Sequence, residues 1–147
     1  MMDEFQIELD VERPVEDVFA ALVNLGRIPD WNLSVINVEC ANDASLGVGS
    51  RVVYIGKFLG RTYKSEAEVT EFVPSTRYSS KTVSGPFQLE ISNTLKSLGD
   101  VTRITSDFRG ESQGFFKLAE PVMVRVTKNL FETSMDNFKA LLLADAL

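Results

Sequence analysis

The stretch from Ala119 to Leu143 constrains this chain most, because it predicts a helix too long to stand without cover. Pro121 suits its first turn, where the missing N–H has no partner to lose and the fixed φ is already helical. No Gly or Pro follows, and apolar residues recur at helical spacing. Val124, Thr127, Leu130, Phe131, Ser134, Met135, Phe138, Leu141 and Leu142 share one broad face, with Lys128, Glu132, Asp136 and Lys139 on the other. A helix of about 24 residues is about 36 Å long, roughly twice the common length. Such a stripe needs an equally long surface to bury it. The preceding segments read as strands, so the expectation is a sheet wrapped around this helix. The two halves of the stripe differ. Met135, Phe138, Leu141 and Leu142 are continuously apolar and suit a clamped core, whereas Met123, Thr127 and Leu130 suit one wall of a pocket.

The strands are legible from alternation. Residues 5–12 alternate apolar and charged without a slip, which is a half-buried strand. Pro14 ends it, and 15–23 reads as a helix with Val15, Val18, Phe19 and Leu22 on one face and Glu16 and Asp17 in the first turn. Gly26 stops that helix, and 27–31 reads as a further short turn. Strand-like segments follow at 34–40, 51–59, 62–72, 77–83, 87–95 and 101–111, the first with Ile36, Val38 and Cys40 on one side. Gly99-Asp100 is a two-residue hairpin signal between the last two. Short connections favour an antiparallel meander. The outward positions are polar, Asp107 and Arg109 reading as a solvated pair, with Arg51, Lys57 and Arg103 in the same role. The expectation is one α+β domain spanning 1–147.

The 147 residues carry a net charge of −6 and no histidine. An acidic chain lacks the basic face that nucleic acid requires and does not dock electrostatically on anionic membranes. No apolar run approaches the roughly 20 residues of a membrane span, so no stable membrane insertion is expected. The start, Met1-Met2-Asp3-Glu4, lacks a signal-peptide layout, and Cys40 is the only cysteine, which makes the cytoplasm the expected compartment. Without histidine, the usual general base and the common zinc ligand are absent, so neither cofactor nor metal is expected.

Short signatures add to the element order: Arg13-Pro14-Val15-Glu16-Asp17-Val18-Phe19, Ile28-Pro29-Asp30-Trp31, Gly47-Val48-Gly49-Ser50, Val69 with Pro74 and Arg77, and Thr102-Arg103-Ile104-Thr105. With them the whole chain resembles the START/Bet v 1-like (SRPBCC) superfamily, and within it the polyketide cyclase/dehydrase and lipid transport family. The resemblance implies a helix-grip fold, in which a curved seven-stranded antiparallel sheet grips the carboxy-terminal helix, with two short helices after the first strand. It also implies a cavity between sheet and helix. Members bind or transfer lipids, hormones and polyketides, and some catalyse cyclisation or dehydration.

Candidate site residues follow from the inward positions. Gly56, Ser65, Ala67, Ser80, Thr82, Asn93, Thr102, Ser106 and Thr127 are small or polar, and buried hydroxyls and amides need partners. Trp31, Tyr54, Phe58, Tyr63, Val69, Tyr78, Phe87, Leu89, Ile91, Ile104, Phe108, Met123, Leu130 and Phe131 supply apolar walls. Walls with a few polar groups suit a small apolar ligand, and the expected site combines these walls with Thr82, Asn93, Ser106 and Thr127. The plain alternative is a solid core. If the chain is an enzyme of the cyclase or dehydratase kind, positioning supplies much of the rate and proton transfer falls to Tyr54, Tyr63 or Tyr78. A third reading is a protein-interaction adaptor, in which Phe115 and Phe116, beside Gly114, form a homodimer contact; the same pair also suits a lid or a loop anchor.

Overall fold

The alternation along the chain becomes seven strands in the structure, a computed structural model that describes residues 3–40, 46–58, 60–112 and 120–147. Strand β1 (Asp3–Val11) is followed by helix α1 (Val15–Leu22), a 3₁₀ turn (Leu25–Arg27) and the one-turn helix α2 (Ile28–Trp31). Then come β2 (Val35–Cys40), β3 (Arg51–Phe58), β4 (Arg61–Val73), β5 (Arg77–Ser84), β6 (Phe87–Ser97) and β7 (Thr102–Ser112), and the chain ends with α3 (Glu120–Leu143). All neighbouring strands are antiparallel, in the order β1-β7-β6-β5-β4-β3-β2. β2 to β7 form the expected meander. β1 pairs with β7 across the sheet, and α1 and α2 carry the chain between its two edges. The result is the helix-grip arrangement, a curled sheet closed over α3.

Local chemistry explains the joints. Pro14 caps α1 in an extended conformation, and Glu16 and Asp17 sit in its first turn where the helix dipole favours them. Gly99 holds φ at 86°, a conformation that suits glycine, and Leu98 N–H donates to Val101 O at 2.7 Å to close the β6–β7 hairpin. The last turn of α3 contains no basic residue. Arg13 and Arg27, from the first-strand end of the chain, supply the missing positive charge: Arg13 Nη2 donates to Leu143 O at 3.2 Å and Arg27 Nη2 to Ala146 O at 2.6 Å.

Two expectations about the sheet need correction. Alternation puts Ile36 on the same side as Val38 and Cys40, but Ile36 is 53% exposed. A register shift between Val35 and Asn37 inserts an extra residue, so Val35 and Val38 both pack against the core and Ile36 turns out. Asp107 and Arg109 were expected to pair with each other. Residues two apart on a strand stand farther apart than cross-strand neighbours, and each finds its partner on β1 instead. Gln6 Nε2 donates to Asp107 at 2.7 Å, and Arg109 lies 2.9 Å from Glu4.

The core is dense at one end. Val11, Val18, Ile104 and Phe138 are fully buried, and Phe138 meets the Trp31 ring edge-on at 5.2 Å. Ser134, also fully buried, donates to Leu130 O and accepts from Leu33 N–H at 3.0 Å, tying the α2–β2 loop to the middle of α3.

Candidate functional site

The concave face of the sheet and the middle of α3 do not meet everywhere. Between them lies a pocket of about 160 Å³. Two aromatic groups flank it. On one side Phe5 of β1 stacks on Phe108 of β7 at 4.6 Å, and Phe131 of α3 joins Phe108 at 4.5 Å. On the other, Phe87 of β6 meets Phe58 of β3 at 5.7 Å and Tyr63 of β4 at 5.1 Å, both edge-on. Rings this large bridge the sheet's curvature but cannot fill the irregular space behind them as methyl-sized groups do.

The site residues expected from the sequence fall into three groups. Trp31, Tyr54, Tyr63, Tyr78, Thr82, Phe87, Leu89, Ile91, Asn93, Ser106, Phe108 and Phe131 line the pocket. Phe58, Val69, Ile104, Thr127 and Leu130 do not. Val69 and Ile104 are sealed in the main core, and Phe58 and Leu130 pack together behind Tyr63 and Phe87. The Met123 side chain lies outside the described residues, as do Phe115 and Phe116. Among the described residues, the helical wall comes from Phe131 and Met135 in the middle of α3, and Met135 serves both core and pocket. Leu22, Ile28, Asn32, Ser34 and Val35 also line the pocket without having been singled out as site residues. Apolar helix residues read as core in any sequence, and Asn32 and Ser34 read as loop.

The polar groups are arranged in fixed chains. Ser106 Oγ donates to Asn93 Oδ1 at 2.6 Å, and Asn93 Nδ2 donates to Tyr78 O at 3.1 Å, so a buried amide is held in one orientation by β7 and β5. Thr82 Oγ1 accepts from Leu89 N–H at 3.2 Å and donates to Leu89 O at 3.3 Å, replacing a rung of the β5–β6 ladder. Asn32 Oδ1 accepts from both the backbone N–H and the hydroxyl of Ser34. Tyr63 lies across Gly56 of β3, where a Cβ would come within 2.4 Å of its Cζ and 2.7 Å of Ser34 O. Glycine at that position is what lets the ring sit flat on the strand. Burial pushes the Tyr63 phenol above its ordinary value, against the opposing pull of a hydrogen bond with Ser34. Tyr63 thus stays a neutral group at physiological pH.

Among the described residues, no Asp, Glu, Lys or Arg lines the pocket. Among the described residues, no cluster of three His, Cys, Asp or Glu side chains stands close enough to hold a metal ion, and no helix is long and apolar enough to cross a membrane. The ionic groups lie on the convex face instead. There Arg77 grips Glu71 with two hydrogen bonds of 2.9 and 2.8 Å, and Ser79 Oγ adds a third at 3.0 Å.

A curled antiparallel sheet closed over a long terminal helix, with a pocket between them, defines a helix-grip protein of the SRPBCC class. The chain belongs to the polyketide cyclase / dehydrase and lipid transport family, whose sequence pattern matches residues 2–143. Members of that family bind hydrophobic ligands. Among solved structures, the protein TTHA0849 of Thermus thermophilus is similar, with 18% identity over 99% of this chain and 100% of its own, at a TM-score of 0.83. A START superfamily protein of Mycobacterium smegmatis is 14% identical over 95% of this chain and 98% of its own, with a TM-score of 0.77. The Zhui aromatase/cyclase of Streptomyces is 12% identical over 93% of this chain and 94% of its own, with a TM-score of 0.70. At such identities the likeness concerns the fold alone. No curated protein matches the chain by sequence.

Proposed function

We propose that the chain, as one ligand-binding domain, binds a small uncharged hydrophobic molecule in the pocket between the sheet and α3. The observation that carries this is the lining: aromatic and aliphatic walls with a few fixed hydroxyl and amide groups and, among the described residues, no charged side chain. Binding draws chiefly on apolar burial, at about 25 cal/mol per Å² removed from water. The ligand classes of the family, lipids and polyketides among them, fit this chemistry. The enzyme reading is weaker. Among the described residues, the pocket is lined by no carboxylate, and burial makes Tyr63 a poorer acid than free tyrosine.

Native mass spectrometry of the purified protein, followed by denaturation and extraction, tests the reading by showing whether an apolar molecule travels with the chain. Thermal denaturation with a panel of lipids and polyaromatics is the second arm. A ligand at about 100 times its Kd stabilises the fold by about 2.7 kcal/mol. An empty protein that no member of the panel stabilises would remove the support for a binder.

A further inference from the structure

The pocket is small for a site that takes hydrophobic molecules. Its volume of about 160 Å³ lies close to the roughly 150 Å³ of an engineered apolar cavity that takes up one benzene molecule. Sites that enclose a drug-sized ligand measure roughly 300–1,000 Å³. A whole fatty chain or a fused-ring skeleton exceeds what the enclosure holds. The question is then whether the walls can draw back to make room.

Both aromatic flanks are backed. On one, Tyr63 lies against the bare backbone of Gly56, where even a methyl group would sit 2.4 Å from its Cζ, so the ring has no depth left to settle into. Phe87 meets Tyr63 edge-on at 5.1 Å and Phe58 at 5.7 Å, and Leu130 of α3 packs on Phe58 behind them. On the other flank, Phe108 is 4% exposed, with Phe5 stacked at 4.6 Å and Phe131 at 4.5 Å. Close-packed rings do not give way without losing contacts on their far side. The space between the two flanks is therefore a fixed measure.

We infer that the pocket accepts one six-membered ring, or about six carbons of a chain, and that Phe87, seated against Tyr63, sets this limit. The remainder of a longer ligand stays outside the space between sheet and helix. This rests on the ligand-binding reading above and adds a length to it. The site grips one end of a hydrophobic molecule instead of enclosing the whole, and Phe87 is its specificity-determining residue.

The experiment titrates straight-chain alcohols, butanol to decanol, into the wild-type protein. The side-chain amide resonances of Asn93, which lines the pocket, report occupancy. Each methylene taken out of water strengthens binding about fourfold. Affinity should climb by that factor per carbon to about hexanol and level off beyond it. Benzyl alcohol and naphthalenemethanol, with one ring and two, should for the same reason bind within about threefold of each other. Phe87→Ala removes the stop and moves the break about two carbons up the series, and Phe87→Leu, the variant to read where alanine prevents folding, moves it about one. A slope that runs unbroken to decanol, or a break that stays in place in the folded Phe87 variants, overturns the size limit and leaves the pocket standing. An Asn93 resonance that responds to no alcohol overturns the size limit and the pocket reading together.

Discussion

The two halves of α3 are packed by opposite means. Past Ser134, the helix meets fully buried partners: Phe138 is 0% exposed, and Met135 and Leu142 are buried beside it. Before Ser134, Leu130 and Phe131 are only partly covered, and Val126 is 38% exposed despite its apolar side chain. One half is a core in the ordinary sense, with interdigitated side chains and charged caps at its end. The other leans on aromatic rings, Phe131 on Phe108 and Phe5, that border the pocket. The same helix therefore carries most of its stabilisation at one end and leaves room for a guest beside its middle. Stability and binding are separable along its length.

The sharpest way to break this contrast is truncation at each end. Phe138→Ala is expected to cost about 3–5 kcal/mol, because nothing can collapse into its place against Trp31. Phe131→Ala removes the same ring from a site that already borders open space, and should cost less than half as much. Urea denaturation of both variants checks the difference, and equal losses would mean that the pocket half is as tightly packed as the core.

Gly56→Ala is next in size. The new methyl would strike Tyr63 and, more seriously, the backbone oxygen of Ser34 at 2.7 Å. A cost of about 2–3 kcal/mol is expected from overpacking, accompanied by weakened binding of any pocket ligand as Tyr63 is displaced. Calorimetric titration against a ligand found in the extraction experiment separates the two effects.

Ser106→Ala leaves Asn93 Oδ1 buried without its donor, for an expected loss of about 1–2 kcal/mol. Because the amide then loses one of its two anchors, the change should also loosen selectivity among ligands. Ser106→Cys, which keeps a weak donor, should lie between the two.

The smallest effects are those of pH. Tyr63 has its phenol raised by burial, so the native state holds its proton more tightly than the unfolded chain does. The stability linked to it is present below the ordinary tyrosine value of about 10 and is lost as pH rises from there through the folded value. Glu71 is held below its ordinary value, first by its hydrogen bond from Arg77 and then by that from Ser79. Its contribution is present above the ordinary carboxylate range and fades as pH falls through the lowered value. Denaturation midpoints measured across the alkaline range for wild type and Tyr63→Phe should converge as the wild type loses this term.

The fold was readable because alternation is a local signal. Glu8 and Leu9 point opposite ways whatever the sheet does next, and a long stripe such as Thr127 to Leu142 demands a sheet to cover it. Ile36 was misread because a bulge shifts the alternation by one residue and leaves no mark in composition. The pocket was legible only on the strands. Inward positions can be named from a sequence, but whether an inward residue meets a helix or empty space depends on where the curled sheet closes. Ile104 and Asn93 both sit on inward positions of adjacent strands, yet Ile104 is sealed under the clamped end of α3 and Asn93 faces the pocket. Leu22, Ile28 and Met135 were unreadable as site residues for the converse reason, since one apolar stripe can serve as core on one flank and as wall on the other.

The bond from Leu33 N–H to Ser134 Oγ ties the loop after Trp31 to the midpoint of α3. A sideways shift of the helix there must drag the tryptophan's segment with it, so this side of the pocket behaves as a fixed jamb. The stretch of α3 around Val126 and Thr127 carries no comparable bond to the sheet among the described residues. Amide exchange at Lys128 and Asn129 would accelerate or slow with ligand well before exchange at Ser134 responds.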